Sequence, residues 1–432
     1  MATRRDLRIE VPVLARVEGE GALELDITQG RITDLRLRIY EPPRFFEKFL
    51  EGHTADEVVD FVARICGICP VAYQITAVQA FERLFGVDTG PWVRKMRRLM
   101  YHGEWLQSHA LHIHLLAAPD FLGYESAIAM AADHPEAVRR GLRLQTLGNE
   151  LIALLGGRAV HPIGLRVGGF HRAPTRAEAA AMLAKIEQAI PEAEALIGWT
   201  AGLPLPDDRQ TFVNVALHDP EVYAIEHGRV VSDTDLDCEM AEWDRHFTEF
   251  QVPHSTALYA ELDGQPYLVG PLARVNLNTA QLPAEITELL ARTGVNFPSA
   301  NMFHSIVARA VELLLVLREA RELLRDYAEP DTPHVAWTPR AGVASWATEA
   351  PRGLLWHRYE VDADGKITAA RIVPPTSQNQ GRCEQDIRRS LESFGLDHED
   401  DALRLRAETV IRNYDPCISC ATHFLRLKTR RA

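Results

Sequence analysis

Two C-x-x-C pairs stand at opposite ends of this chain: Cys66-Gly67-Ile68-Cys69 and Cys417-Ile418-Ser419-Cys420. A C-x-x-C turns the backbone so that two thiolates face one metal. Zinc fingers and ribbons place two such pairs about 12–20 residues apart. Here almost the whole chain separates them, so a small zinc module is a poor fit. A site whose halves come from both ends is assembled only by the complete fold, which suits a buried catalytic centre better than a structural clip. A structural zinc site stays open as the plain alternative. Neither pair sits in an evident βα unit, so a thioredoxin-like redox motif is not indicated.

The chain has 432 residues, with 47 Lys+Arg against 60 Asp+Glu and a net charge of −13. That argues against a nucleic-acid binder, which draws most of its affinity from a basic surface. Hydrophobic residues at 46% beside 25% charged residues are the ordinary globular mixture. No stretch approaches the roughly 18 apolar residues that span a bilayer, and charge returns at the N-terminus before any apolar h-region. The expectation is a cytoplasmic protein, not inserted in a membrane, with reduced cysteines. Cys238 and Cys383 read as small buried thiols.

Apolar and polar residues alternate through Ile9, Val11, Val13, Ala15 and Val17, then through Leu23, Leu25 and Ile27, then from Ile32 to Tyr40. This predicts a three-stranded antiparallel meander over about 7–40. Helical periodicity follows near 54–62, 70–85, 92–117, 135–155, 176–197, 283–293, 301–328 and 384–396. Short β elements are expected at Val222–Val231, at Tyr267–Val275 and in a hairpin of His357–Val361 with Ile367–Val373. The fold class is therefore α+β and predominantly helical, with long central helices, the N-terminal meander and short hairpins. No repeat or linker marks a boundary. One intertwined domain is expected over 1–423, with a helical body at about 54–330 and a β hairpin and metal-binding segment at about 335–423.

The flanks carry more. The first pair lies in Arg64-Ile65-Cys66-Gly67-Ile68-Cys69-Pro70, the second in Asp415-Pro416-Cys417-Ile418-Ser419-Cys420-Ala421-Thr422-His423. Here the sequence resembles the large, catalytic subunit of nickel–iron hydrogenases, whose signatures are R-x-C-G-x-C and D-P-C-x-x-C-x-x-H. The resemblance continues, in the family's order, through Arg16-Val17-Glu18-Gly19, Phe46-Glu47, Gly157–Pro162, Gly270-Pro271-Leu272-Ala273-Arg274 and Ala350-Pro351-Arg352-Gly353. The C-A-T-H ending and Gln107–His112 look most like the cytoplasmic, NAD(P)- or F420-linked branch. Membrane-bound members commonly have Asp where Ser108 falls, so that carboxylate is not carried over.

The resemblance implies reversible heterolytic cleavage of H2 at a Ni–Fe centre. Cys66, Cys69, Cys417 and Cys420 would bind nickel, with Cys69 and Cys420 also bridging to an iron that carries carbon monoxide and cyanide. Cys417 would accept the proton first and Glu18 next. Arg352, preceded by Pro351, would lie over the diatomic ligands, and Thr376 or Ser377 would donate to a cyanide. A Mg2+ (or Fe2+) ion would be held by Glu47, His423 and the carbonyl of Ile372. Cys238 and Cys383 are too few for an iron–sulfur cluster in this chain. A small iron–sulfur subunit docked near the first motif is therefore implied, followed by flavin- and NAD(P)-binding diaphorase subunits. No G-x-G-x-x-G follows a strand, so this chain is not expected to bind NAD itself. The family also implies nickel-insertion proteins and a maturation protease, with 424–432 as the extension removed. The runner-up is a relative without hydrogenase activity, such as the quinone-site scaffold subunit of respiratory complex I, which generally lacks the four cysteines. His102, His109, His112 and His114 read as packing residues.

Overall fold

The computed structural model describes residues 6–422. Its N-terminal meander pairs Leu7–Val11, Gly21–Thr28 and Arg31–Ile39 in sequence order, all antiparallel. The tight turn at Gln29-Gly30 takes positive φ at both residues, which the hairpin twist requires. A register shift at Asp26/Ile27 changes the phase, so Ile32 and Leu35 both face the core although they are three residues apart. The first alternating run is strand only as far as Val11. Residues 12–20 leave the sheet as a loop, with Val13 at 65% exposure. That loop carries Arg16 and Glu18.

The helical body follows the apolar periodicity. Gly90–Leu111 and Pro135–Gly156 lie side by side, and an added Cβ at Gly148 would stand 2.6 Å from the Gly103 carbonyl oxygen. Only glycine permits that approach. The helix expected over 92–117 runs on, but its last turn, His112–Ala117, is a π-helix that leads into Ala118–Leu122. Ser305–Arg325 is buried on nearly every side and forms the central pillar.

Several boundaries differ from expectation. The helix foreseen at 384–396 starts at Pro375, and Asp400–Tyr414 was not foreseen. Tyr267–Val275 is not a strand. Leu268 makes one isolated bridge to Asn214, and Pro271 then opens a helix to Asn278, because proline's fixed φ suits a first helical turn. Of Val222–Val231, only the end enters a strand, Arg229–Ser232. The C-terminal hairpin gains a third strand, Gly342–Ala350, beside Gly353–Val361 and Ile367–Val373. The result is a mixed α/β fold with small antiparallel sheets. One apolar cluster runs from Ile9 to Ala421 and includes the four paired cysteines. Among the described residues no helix is long and apolar enough to cross a membrane.

Candidate metal centre

The first cysteine pair forms a loop that ends as the Pro70–Phe85 helix begins, with Cys69 at the N-cap. Glu104, from the neighbouring helix, accepts the free N–H groups of Val71 and Ala72 at 2.6 and 3.0 Å. Gln107 Nε2 donates to the Ile68 carbonyl at 2.5 Å. The second pair follows the Asp400–Tyr414 helix, which stops at Asp415 in the left-handed conformation before Pro416 turns the chain inward. Cys417 then caps the short helix Ile418–Ala421.

The fold brings the pairs together. Sγ–Sγ separations are 3.4 Å for Cys66–Cys417, 3.5 Å for Cys69–Cys420 and 2.7 Å for Cys417–Cys420. All four sulfurs lie within 4.8 Å of one another, and all are buried.

Glu18 and Arg44 stitch the two chain ends. Glu18 forms a parallel bridge with Cys417: its carbonyl accepts the Ile418 N–H at 3.0 Å, and its carboxylate accepts the Ser419 N–H at 3.1 Å. Gly19 makes this possible, because a Cβ there would sit 2.6 Å from Ile418 Cβ. Arg44 spans both pairs. Its guanidinium donates to the Ile65 carbonyl at 2.6 Å and to the Ser419 carbonyl, while its backbone N–H donates to Thr422 at 2.7 Å. The sequence offered no sign of Arg44 beyond a cation after Pro42-Pro43, since its partner Ser419 is 375 positions away.

Arg352 is buried beside the centre. Its Nε donates to the Asp415 carbonyl at 2.7 Å and one Nη to the Asp415 carboxylate at 3.0 Å, while the other, Nη1, has no partner. Burial disfavours this guanidinium's charge, but Asp415 and the cysteine sulfurs overcome that and raise its pKa. Behind it, Arg274 donates to the carbonyls of Ala350 and Pro351 at 2.8 and 2.9 Å and pairs with Glu312 and Glu349. Arg274 belongs to the quoted glycine–proline motif, but its part in holding Pro351 and Arg352 was not foreseen. Thr376 Oγ1 accepts the Cys417 N–H at 2.9 Å, and Ser377 is buried next to it.

Glu47 and Ile372 also meet: the Glu47 carboxylate accepts the Ile372 N–H at 2.8 Å. His423 lies outside the described residues. His109, His112 and His114 are core groups, held neutral chiefly by burial, with pKa values lowered to about 4, 3 and 3. Cys238 and Cys383 are buried, and burial pushes both thiols up.

Four buried thiolates at this spacing would need positive charge among them. Burial pushes the Cys69, Cys417 and Cys420 thiols up, whereas hydrogen bonds from the neighbouring thiols and the charge of Arg352 outweigh burial at Cys66 and hold it down. Soft divalent metals supply that charge and prefer thiolate donors. Arg352 Nη1, without an acceptor among the described residues, adds a donor that an acceptor ligand on such a metal would satisfy. The residues therefore fit a thiolate-bound metal centre.

Comparison with known proteins agrees. The pattern described as nickel-dependent hydrogenase matches residues 44–140 and 253–423. The chain is 32% identical over 428 residues to sulfhydrogenase 2 subunit alpha of Pyrococcus furiosus, covering 97% of this chain and all of that one. It is 29% identical over 475 residues to the NAD-reducing hydrogenase HoxS subunit beta of Cupriavidus necator, covering 97% and 95% of the two. Among solved structures, an NAD+-reducing NiFe hydrogenase in the H2-reduced state superposes with a TM-score of 0.86 at 30% identity, covering 96% of this chain and 99% of that one. With the cysteine quartet in place, these matches show that the chain belongs to the nickel-dependent hydrogenase family, as a large subunit and an oxidoreductase of hydrogen.

Proposed function

We propose that this chain catalyses the reversible conversion of H2 to two protons and two electrons, which leave through an iron–sulfur partner and reduce NAD(P). The observation that carries the proposal is the buried quartet of sulfurs, drawn from both chain ends and lying within 4.8 Å. When bound, a nickel–iron pair with carbon monoxide and cyanide on iron supplies the redox and Lewis-acid chemistry that polarises H2. Cys66, Cys69, Cys417 and Cys420 hold it.

The protein's own groups handle the proton. Cys417 Sγ accepts it, and Glu18 stands next in line because its carboxylate is fixed on Ser419, two residues further along the same strap. Arg352, preceded by Pro351, would offer its Nη1 as a donor to the diatomic ligands. Thr376 accepts from Cys417 and keeps its hydroxyl hydrogen to donate, with Ser377 as the neighbouring alternative. A magnesium (or ferrous) ion between Glu47, the Ile372 carbonyl and His423 would fasten the C-terminal segment; Glu47 already reaches the Ile372 backbone.

Electrons need an exit. Val160, beside Gly67 of the first pair, and Ile163 are 53% and 54% exposed, an apolar spot where a small iron–sulfur subunit would dock. Diaphorase subunits with flavin and NAD(P) sites would follow, as the NAD-reducing relative suggests, and would place the enzyme in the cytoplasm. The proposed extension, 424–432, lies outside the described residues; its removal by a maturation protease after nickel insertion belongs to the same proposal.

The test is to purify the complex, assay nickel, iron and zinc, and record infrared spectra in the carbonyl and cyanide region. Nickel with diatomic bands, lost in Cys417→Ala, supports the proposal. Zinc alone without those bands overturns it in favour of a structural metal site or a complex I-like scaffold.

A further inference from the structure

Away from the sulfurs, two cations from distant segments converge on one buried carboxylate. Arg16 leaves the N-terminal meander two residues before Glu18, with its own backbone in the left-handed region. Its guanidinium donates to Asp120 and, through Nη1, to the Leu116 carbonyl at 2.7 Å. Arg412 lies three residues before Asp415, in the last turn of the helix that feeds the second cysteine pair. It forms a fork on the same Asp120 at 2.6 and 2.9 Å, and its Nη1 reaches Glu408 at 2.9 Å. The Asp120 and Arg412 side chains are each only 2% exposed and that of Arg16 13%.

The π-turn explains how one helix serves both ends. The turn His112–Ala117 carries both contacts: the Leu116 carbonyl accepts from Arg16, and His112 Nε2 donates to the Arg412 carbonyl at 2.8 Å. Without the extra residue of the π-turn, Asp120 would lie on another face of the helix. Two like charges are held next to each other in a buried site only while the carboxylate between them stays charged. Burial and Arg412 both disfavour the charged form of Arg16, and Asp120 opposes them.

We propose that Asp120 is a positioning residue for proton transfer: by gripping Arg16 and Arg412 together, it sets the Glu18 carboxylate against the strap that carries Cys417. Asp120 touches neither the metals nor the proton. The inference rests on Glu18 acting as the relay proposed above. The cysteines themselves are held by other contacts, through Arg44, Thr376 and the Arg352–Asp415 pair.

The experiment uses the matured complex with Asp120→Asn, Arg16→Lys and Glu18→Gln. Turnover per bound nickel, the infrared bands and the solvent deuterium isotope effect are measured for each. In Asp120→Asn, nickel content and bands should persist while turnover per nickel falls at least ~10-fold and the isotope effect rises, as for a displaced proton-transfer group. Arg16→Lys keeps the charge on Asp120 but cannot also reach Leu116; it should show a smaller drop with the same sign. If Asp120→Asn does not accumulate, Arg16→Lys carries the test. Wild-type turnover and isotope effect in these variants, or loss of nickel with unchanged turnover per remaining nickel, overturn the positioning role. Wild-type turnover in Glu18→Gln overturns the relay itself, and so separates the two failures.

Discussion

Replacing Arg44 by Met removes a side chain that donates to both cysteine loops while keeping a stem of similar length. The loss comprises the guanidinium contacts with Ile65 and Ser419, a long one, 3.5 Å, to Arg64, and its place 5.3 Å over the Phe46 ring, which the Met stem partly replaces; the backbone bond to Thr422 survives. A hydrogen bond from a charged donor contributes about 1.5–3 kcal/mol when buried. Arg44 is only half-buried, so water replaces part of each contact, and about 1–1.5 kcal/mol per bond is the appropriate scale. Two bonds then hold the C-terminal strap closed by about 2–3 kcal/mol, a factor of roughly 100 in the opening equilibrium. The assay is the rate at which the matured complex loses nickel to a strong chelator. If opening limits access, Arg44→Met should lose nickel roughly 100-fold faster, with unchanged infrared bands before loss. Arg44→Lys keeps the charge but not the fork and should resemble Met. Nickel loss within threefold of wild type in Arg44→Met, or full rescue by Lys, would refute the argument that a forked donor locks the strap.

Three further outcomes are expected. Gly19→Ala, at φ +89 and in collision with Ile418, should lower nickel retention; unchanged nickel content and turnover would mean the Glu18 strap does not shape the site. Gly148→Ala forces the Gly90–Leu111 and Pro135–Gly156 helices apart and should lower unfolding free energy by roughly 2–3 kcal/mol in denaturant titration. A change below about 0.5 kcal/mol contradicts the packing. Finally, His109, His112 and His114 have folded pKa values of about 4, 3 and 3, below the ordinary value near 6.5. Their contribution is intact above that value and is lost as pH falls toward the folded values, because the unfolded chain binds the protons first. Unfolding near pH 5 should take up close to three protons from these groups, a slope of about 4 kcal/mol per pH unit. Calorimetry in buffers of different ionisation enthalpy measures the uptake, and none would contradict the burial of neutral imidazoles.

The sequence made local features legible and concealed those made by distant neighbours. The meander showed because Leu23, Leu25, Leu37 and Ile39 bury one face at strand period, and the cysteine pairs showed because their flanks are local. The helix from Pro375 was clipped to its later half. Its first turns, Thr376 to Gln380, are polar yet buried, facing the site and the Val269 backbone, so apolar periodicity could not find them. Tyr267–Val275 misled because Tyr267, Leu268 and Val269 are apolar and the weight of Gly270-Pro271 as a helix start was overlooked. The fork of Arg44 and the convergence on Asp120 left no trace, since each needs a partner about a hundred or more positions away.

The separation of the two cysteine pairs also sets a schedule for the growing chain. Cys66 and Cys417 are 351 positions apart. At roughly 5–20 residues per second on the ribosome, about 20–70 seconds pass between the emergence of the first thiols and that of their partners. Throughout that interval the Pro70–Phe85 helix and its neighbours can form, while Cys66 and Cys69 face an open groove in place of Cys417 and Cys420. The newborn subunit thus passes through a stage with half a metal site exposed to whatever thiol-reactive species or stray zinc the cell contains. The strap that carries Cys417 and Cys420 decides whether that groove is sealed over the right occupant.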